Sequence, residues 1–475
     1  MRNITLAIIL STILLAGCRT AQIPHKSPDL SLPSQWKEYS LSENEDTAPH
    51  ITWREFYLDE NLREIISLAL KNNRDLRTTA STIEKTRALY QIQRAERLPT
   101  VGASGDASYQ HLPASLSGQG RAVTLDQYSV SVGVSAWELD FFNRISHLKE
   151  SALEHFFATE QARQSAQIAL ASEIANVYLL LSGDQQRLAL AEKTRTNQNQ
   201  SYQLILKRFQ NGISSELDVK QAQTRIEAAN IDIARYRGMI ATDISTLQLL
   251  AGTTIPPSLL PESLSPIIIR ETIAPGIPSE ILLRRPDILM AEHLLKAANA
   301  NIEVARAAFF PRITLTGNLG TASNDLGSLF TAGSDIWAFA PKISLPIFDS
   351  GRRKSALKVA QAERESTLAL YEQAIQKAFK EVSDTLVMQQ SIEEQLRAQT
   401  ALVESTSEVF RLAELRYNHG IGNYLIVLDA QRSLYAAQIG LLSLQQAKYA
   451  NLVMLYKVLG GGAVQGYENS IESSL

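Results

Sequence analysis

Two periodicities alternate along the chain, one of about three and a half residues and one of two, and each predicts its own kind of element. Ala222, Ile226, Ala229, Ile233, Tyr236 and Ile240 follow one another at spacings of four and three. That is the seam of a coiled coil, and its alanines let helices approach closely. Across residues 144–209 there is no proline, and Gly183 is the only glycine. About 66 residues can therefore form one helix roughly 100 Å long. Asn211-Gly212 then supplies a left-handed turn, and Ser214 or Ser215 caps a second helix that reaches about Ala251. The two-residue period appears at residues 101–109, 128–137, 313–320 and 336–345, where small polar and apolar side chains alternate. It predicts two β-hairpins, at residues 100–137 and 312–346. One wet face and one lipid-facing face explain the alternation, and so does a soluble hairpin lying against a helix.

Proline placement orders these elements. All 16 prolines fall at or before Pro113 or within residues 256–346, which leaves two long intervals open to helix. A helix is predicted over residues 62–97, with Asn73-Arg74-Asp75 capping its main part, and another over residues 279–310, broken near Arg285-Pro286-Asp287. These are counterparts, because Asp75, Ala88, Ala95 and Pro99 recur 212 residues later as Asp287, Ala300, Ala307 and Pro311. Further on, Glu173, Arg208, Gly212, Leu217 and Gly252 recur 208 residues later as Glu381, Arg416, Gly420, Leu425 and Gly460. The chain is a duplicated unit. Its expected divisions are a leader at 1–17, a tether at 18–61, a first repeat at 62–252, a proline-rich connector at 253–278, a second repeat at 279–460 and a tail at 461–475.

Composition narrows the function. With 46 basic and 49 acidic residues the net charge of -3 argues against nucleic acid as a partner. Cys18 is the one cysteine, so there is no intrachain disulfide and no cysteine-rich metal site. A short basic start, an apolar stretch over residues 4–15 and Leu15-Ala16-Gly17-Cys18 resemble a bacterial lipobox. On that reading Cys18 carries a covalent lipid, and Arg19 after it favours delivery to the outer membrane. Beyond residue 18 no run of about 18 apolar residues occurs, so a membrane crossing requires a barrel. Four strands cannot close one, since about eight is the smallest natural number. Three copies give twelve. The expected fold is mainly α, with duplicated long antiparallel helices forming a helical barrel in the trimer and four strands per chain in a twelve-stranded β-barrel.

Several phrases then resemble a known family. Trp53, Phe56, Asp59, Leu62, Asn73 and Asp75-Leu76, the segment 277–288, Phe309-Phe-Pro-Arg-Ile-Thr-Leu315, Pro346-Ile-Phe-Asp-Ser-Gly-Arg-Arg353 and Arg416-Tyr-Asn-His-Gly420 are similar to the outer-membrane efflux lipoproteins of the TolC and OprM type. The resemblance implies a homotrimeric exit duct, anchored in outer-membrane lipid and reaching into the periplasm. Its implied partners are a periplasmic adaptor and an inner-membrane transporter of the RND class. It assigns the tips at Asn211, Gly212, His419 and Gly420 to adaptor docking. Asp429, with Ile426 beside it, falls at the periplasmic constriction. Asp218 and Tyr417 match positions that bond across the two hairpins and hold the tip shut. Each has a plainer use as well: glycine for turn geometry, Asp429 paired with Arg432 three residues on, and Asp218 in a capping box with Ser215.

Enzyme chemistry finds little support, since the seven histidines lack metal-ligand spacing and no phosphate-cradling loop or nucleophile elbow is present. No cofactor is expected beyond the lipid. A protein-secretion or metal-ion efflux duct and a lipid-anchored structural coiled coil remain as alternatives.

Overall fold

The computed structural model describes residues 51–118, 120–261, 269 and 285–461. Cys18, the tether up to residue 50, most of the connector, residues 279–284 and the tail beyond Gly461 lie outside the described residues. The elements run α1 (Trp53–Phe56), α2 (Glu60–Asn72), α3 (Arg74–Ala95), β1 (Val101–Leu112), β2 (Val123–Leu139), α4 (Arg144–Gln210) and α5 (Glu216–Ala251). They continue with α6 (Pro286–Ala307), β3 (Arg312–Ser323), β4 (Asp335–Ser344), α7 (Arg352–Asn418) and α8 (Tyr424–Val458). Within the proline-free intervals lie α4 and α7, each 67 residues long and unbroken, followed by α5 and α8. α4 contains the one described stretch that is long and apolar enough to cross a membrane, but more than half of it is buried inside the fold.

Contacts divide the described residues into two compact units. One comprises residues 82–159 and 290–372, and the other the described parts of 51–81, 160–289 and 373–461. The first holds a single antiparallel sheet in the order β1-β2-β3-β4, so β1 and β4 are its edges. Its register sorts the side chains by face. Val132 pairs with Ala103 and Leu319, and Leu319 pairs in turn with Trp337. Ile313 pairs with Leu139 and Ile343. One face is thus apolar across all four strands, and the other carries Ser104, Ser131, Asn318, Thr314 and Lys342. A shift between Val134 and Trp137 marks a β-bulge, where Ala136 takes φ 51°. The extra residue keeps Trp137 and Leu139 on the side of Val134, although strict alternation would turn them over. Gly133 and Gly320 are required on the polar face, because a Cβ on either would collide with the backbone of the neighbouring strand.

The second unit carries the main core. Phe56, Leu62, Ile65, Ile66 and Ala69 from α1 and α2 pack with Ile174 and Tyr178 of α4, Leu247 of α5, Val382 of α7 and Tyr456 of α8. The Phe56 and Tyr456 rings stack at 4.0 Å, and the Tyr456 hydroxyl donates to the Ile51 carbonyl at 2.9 Å. The helix over residues 62–97 is interrupted at Asn73, whose backbone leaves the helical region. Its side-chain oxygen accepts from the Asp75 and Leu76 amides, which starts α3, and its amide donates to the Leu250 carbonyl on α5.

Candidate functional site

The candidate site lies where α4 turns into α5 and α7 into α8, at the helix ends opposite those that leave the strands. The two turns are built alike, and the 208-residue repeat explains why. After α4, the Ile213 amide donates to the Arg208 carbonyl at 2.8 Å and the Gly212 amide to the Phe209 carbonyl at 2.9 Å. After α7, Ile421 reaches Arg416 and Gly420 reaches Tyr417, both at 3.0 Å. These are paired Schellman closures, which need a left-handed residue at the turn. Gly212 takes φ 74° and Gly420 φ 71°, and a Cβ on either would meet open space. The glycines answer to backbone conformation, and what the turns present is outward surface. Ile213 is 75% exposed and Ile421 70% exposed, flanked by exposed Asn211 and His419.

The helices that start after the turns differ. Ser215 caps α5 in a reciprocal box with Asp218: the Asp218 amide donates to Ser215 Oγ at 3.2 Å, and Asp218 Oδ2 accepts from the Ser215 amide at 3.0 Å. The same oxygen accepts from Ser214 Oγ at 2.9 Å. Partial burial pushes the Asp218 carboxyl up, but the bonds from the Ser215 amide and the two serine hydroxyls outweigh it and hold the group below the usual carboxylate range. In the second repeat Asn423 is the cap, accepting from the Leu425 amide at 3.0 Å. Ile426 stands there at the position equivalent to Asp218 and is exposed.

Behind the turns a small core joins the two hairpins. Ile205, Val219, Ala222, Ala413, Tyr424, Val427, Leu428 and Ala430 are buried together, with Tyr417 packed against them. Tyr417 and Tyr424 rings lie 5.2 Å apart, and the Arg208 guanidinium sits 4.8 Å from the Tyr417 ring centre. Burial raises the Tyr424 hydroxyl to about 12, so it stays protonated. The side-chain oxygen of Asp218 is bonded to Ser214 and Ser215 of its own helix start, and beside the shared core the Arg208 contact with Tyr417 spans the two hairpins. Farther along, the Tyr435 hydroxyl donates to Asp232 Oδ2 at 2.9 Å, joining α8 to α5. Asp429 is exposed on α8 and accepts from Arg432 Nη2 at 2.6 Å. Sequence reasoning missed Arg208, Tyr424 and the Tyr435–Asp232 bond as links. The signal available was an aromatic residue next to each hairpin turn.

The comparisons agree with this architecture. The family model described as outer membrane efflux protein matches residues 65–253 and again 277–461, one match per repeat. The chain is 43% identical over 468 residues to the toluene efflux pump outer membrane protein TtgC of Pseudomonas putida, covering 97% of this chain and 96% of that one. It superposes on a membrane protein from Pseudomonas aeruginosa with TM-score 0.88 at 38% identity, covering 94% of this chain and 98% of that one. The open state of the MtrE outer membrane channel of Neisseria gonorrhoeae matches with TM-score 0.85 at 34% identity, over 92% of this chain and 97% of the other. Duplicated matches across both repeats, together with identity along nearly the whole length, establish that the chain belongs to the outer membrane efflux protein family.

Proposed function

We propose that the chain is one third of a passive outer-membrane duct, the exit of a tripartite efflux pump. The observation that carries this is the sheet. It has one continuous apolar face, on which Leu319 is 68% and Trp337 77% exposed, and it ends in two edge strands, β1 and β4. Open edges are intolerable in hydrocarbon, so β4 of one copy pairs with β1 of the next until the wall closes. Three copies give a twelve-stranded barrel with a polar inner face. In three copies the long helices build a tunnel that reaches into the periplasm, and Cys18 anchors each copy through its lipid.

The turns at Asn211-Gly212 and His419-Gly420 are the docking surface for a periplasmic adaptor, which couples the duct to an inner-membrane transporter of the RND class. Their protruding Ile213 and Ile421 suit an apolar partner surface. Asp429, with Ile426 one turn before it, forms the constriction, while Asp218 and Tyr417 stabilise the closed tip. The cargo is small and hydrophobic or amphiphilic, as relatives named for antibiotic and solvent efflux suggest. The test is reconstitution of the full chain. Light scattering should give three times the monomer mass, and a planar bilayer should carry unitary currents. A protein that stays monomeric in lipid and passes no current overturns the reading.

A further inference from the structure

α5 buries one stripe, which passes through Ile233 and Tyr236 to Asp243 and then Leu247. Asp243 is 6% exposed and stands where a coiled-coil seam calls for an apolar residue. On α4 Asp184 is fully buried. Each keeps its Oδ2 buried without a hydrogen-bond partner. The other oxygen of Asp184 accepts from Arg187 Nη1 at 2.6 Å. Arg187 Nη2 goes on to Gln446 Oε1 at 2.8 Å and Ser443 Oγ at 3.1 Å, tying α4 to α8. Arg187 therefore compensates the first acid. Asp243 has no cationic partner among the described residues, Asp184 is the charge that acts on it from α4, and at this bridge α8 offers only the neutral Ser443 and Gln446.

The duplication supplies an internal control. Positions 208 residues on from Asp184 and Asp243 hold Ile392 and Asn451. Ile392 is buried, and the Asn451 amide donates to the Thr385 carbonyl at 3.2 Å. At these two positions the repeated helix pair thus packs without acids, and the architecture does not demand them there in the first repeat.

We propose that Asp184 and Asp243 form a proton-binding site. Asp243 holds the proton on the acid side of neutrality and releases it above, which adds one negative charge to the buried face between α4 and α5. Burial first, then the Asp184 charge, push the Asp243 carboxyl up to about 6. The folded chain binds this proton more tightly than the unfolded chain does. The associated stabilisation is therefore full below the ordinary aspartate range and is lost as pH rises through about 6. The site adjoins the Arg187 bridge, so protonation acts at the junction of the two helical hairpins. None of this depends on the duct function.

Asp243→Asn writes into the first repeat the residue that the second repeat carries. For the full chain in detergent, the thermal transition should fall by about 1 °C between about pH 5 and about pH 7.5, a shift that scanning calorimetry of replicate samples reads directly. Asp243→Asn should remove that fall and unfold at or above the wild-type temperature at the upper pH. A variant that keeps the wild-type pH dependence overturns the site. So does a transition that follows sodium concentration at fixed pH, because the couple would then hold a cation. Infrared spectroscopy on the wild type alone needs no variant to fold. The carbonyl band of a buried protonated carboxyl should bleach with a midpoint near about pH 6, and absence of that band on the acid side overturns the proposal.

Discussion

Asp218 shows how one carboxylate can be claimed by its own helix start. Ser214 and Ser215 surround it with donors, two residues from a turn whose outer face is free. Asp218→Ala should weaken the start of α5 by about 1 kcal/mol at neutral pH. The sign of its pH dependence follows from the depressed carboxyl. The contribution is present above the ordinary aspartate value and fades as pH falls through the lower folded value. Denaturation of wild type and variant should therefore differ at neutral pH and converge in strong acid. Ser215→Ala removes the cap but keeps the charge, so it separates a local role from a latch: raised bilayer conductance in Asp218→Ala but not in Ser215→Ala marks the latch. The cap was legible as Ser215 followed three residues later by Asp218. The Arg208 contact with Tyr417 was not, because it joins residues two hundred positions apart and no local pattern records such a contact.

At the scale of the element, the strands were legible from their alternation and the helices from the absence of proline. The bulge in β2 was not, because the expected hairpin was assigned by period alone and Val134 and Trp137 stand three apart. Read with the register, that odd spacing is what keeps Trp137 and Leu139 among the apolar residues. Two single-residue deletions then have opposite outcomes. Deleting Ala136 removes the bulge and the left-handed residue, restores a plain pleat and leaves every side chain on its face. Deleting Ser131 shifts the pleat instead and turns the preceding Tyr128 and Val130 to the wet side. Heat-stable oligomers extracted from outer membranes should survive the first deletion and be lost in the second. Equal loss in both would mean that the apolar face does not decide insertion.

At the scale of the molecule, a threefold assembly changes what Asp429 means. In one chain it is an exposed carboxylate bonded to Arg432, a pair that contributes little in water. Around a threefold axis three such carboxylates would face a narrow passage, and their fields would add in a space with little water to screen them. Ile426 lies three residues earlier on α8 and would place an apolar collar beside the ring. The sequence made the acid legible, but its orientation toward an axis depends on neighbours that no single chain contains. The arginine gives the assembled case a distinctive signature. Asp429→Asn should move the reversal potential of a bilayer under a salt gradient away from cation preference, and Arg432→Gln should move it the other way by freeing the acid. Both shifts should shrink as ionic strength rises and the Debye length falls from about 10 Å at 0.1 M to about 3 Å at 1 M. If both substitutions leave the reversal potential unchanged at low salt, Asp429 does not face the conducting path.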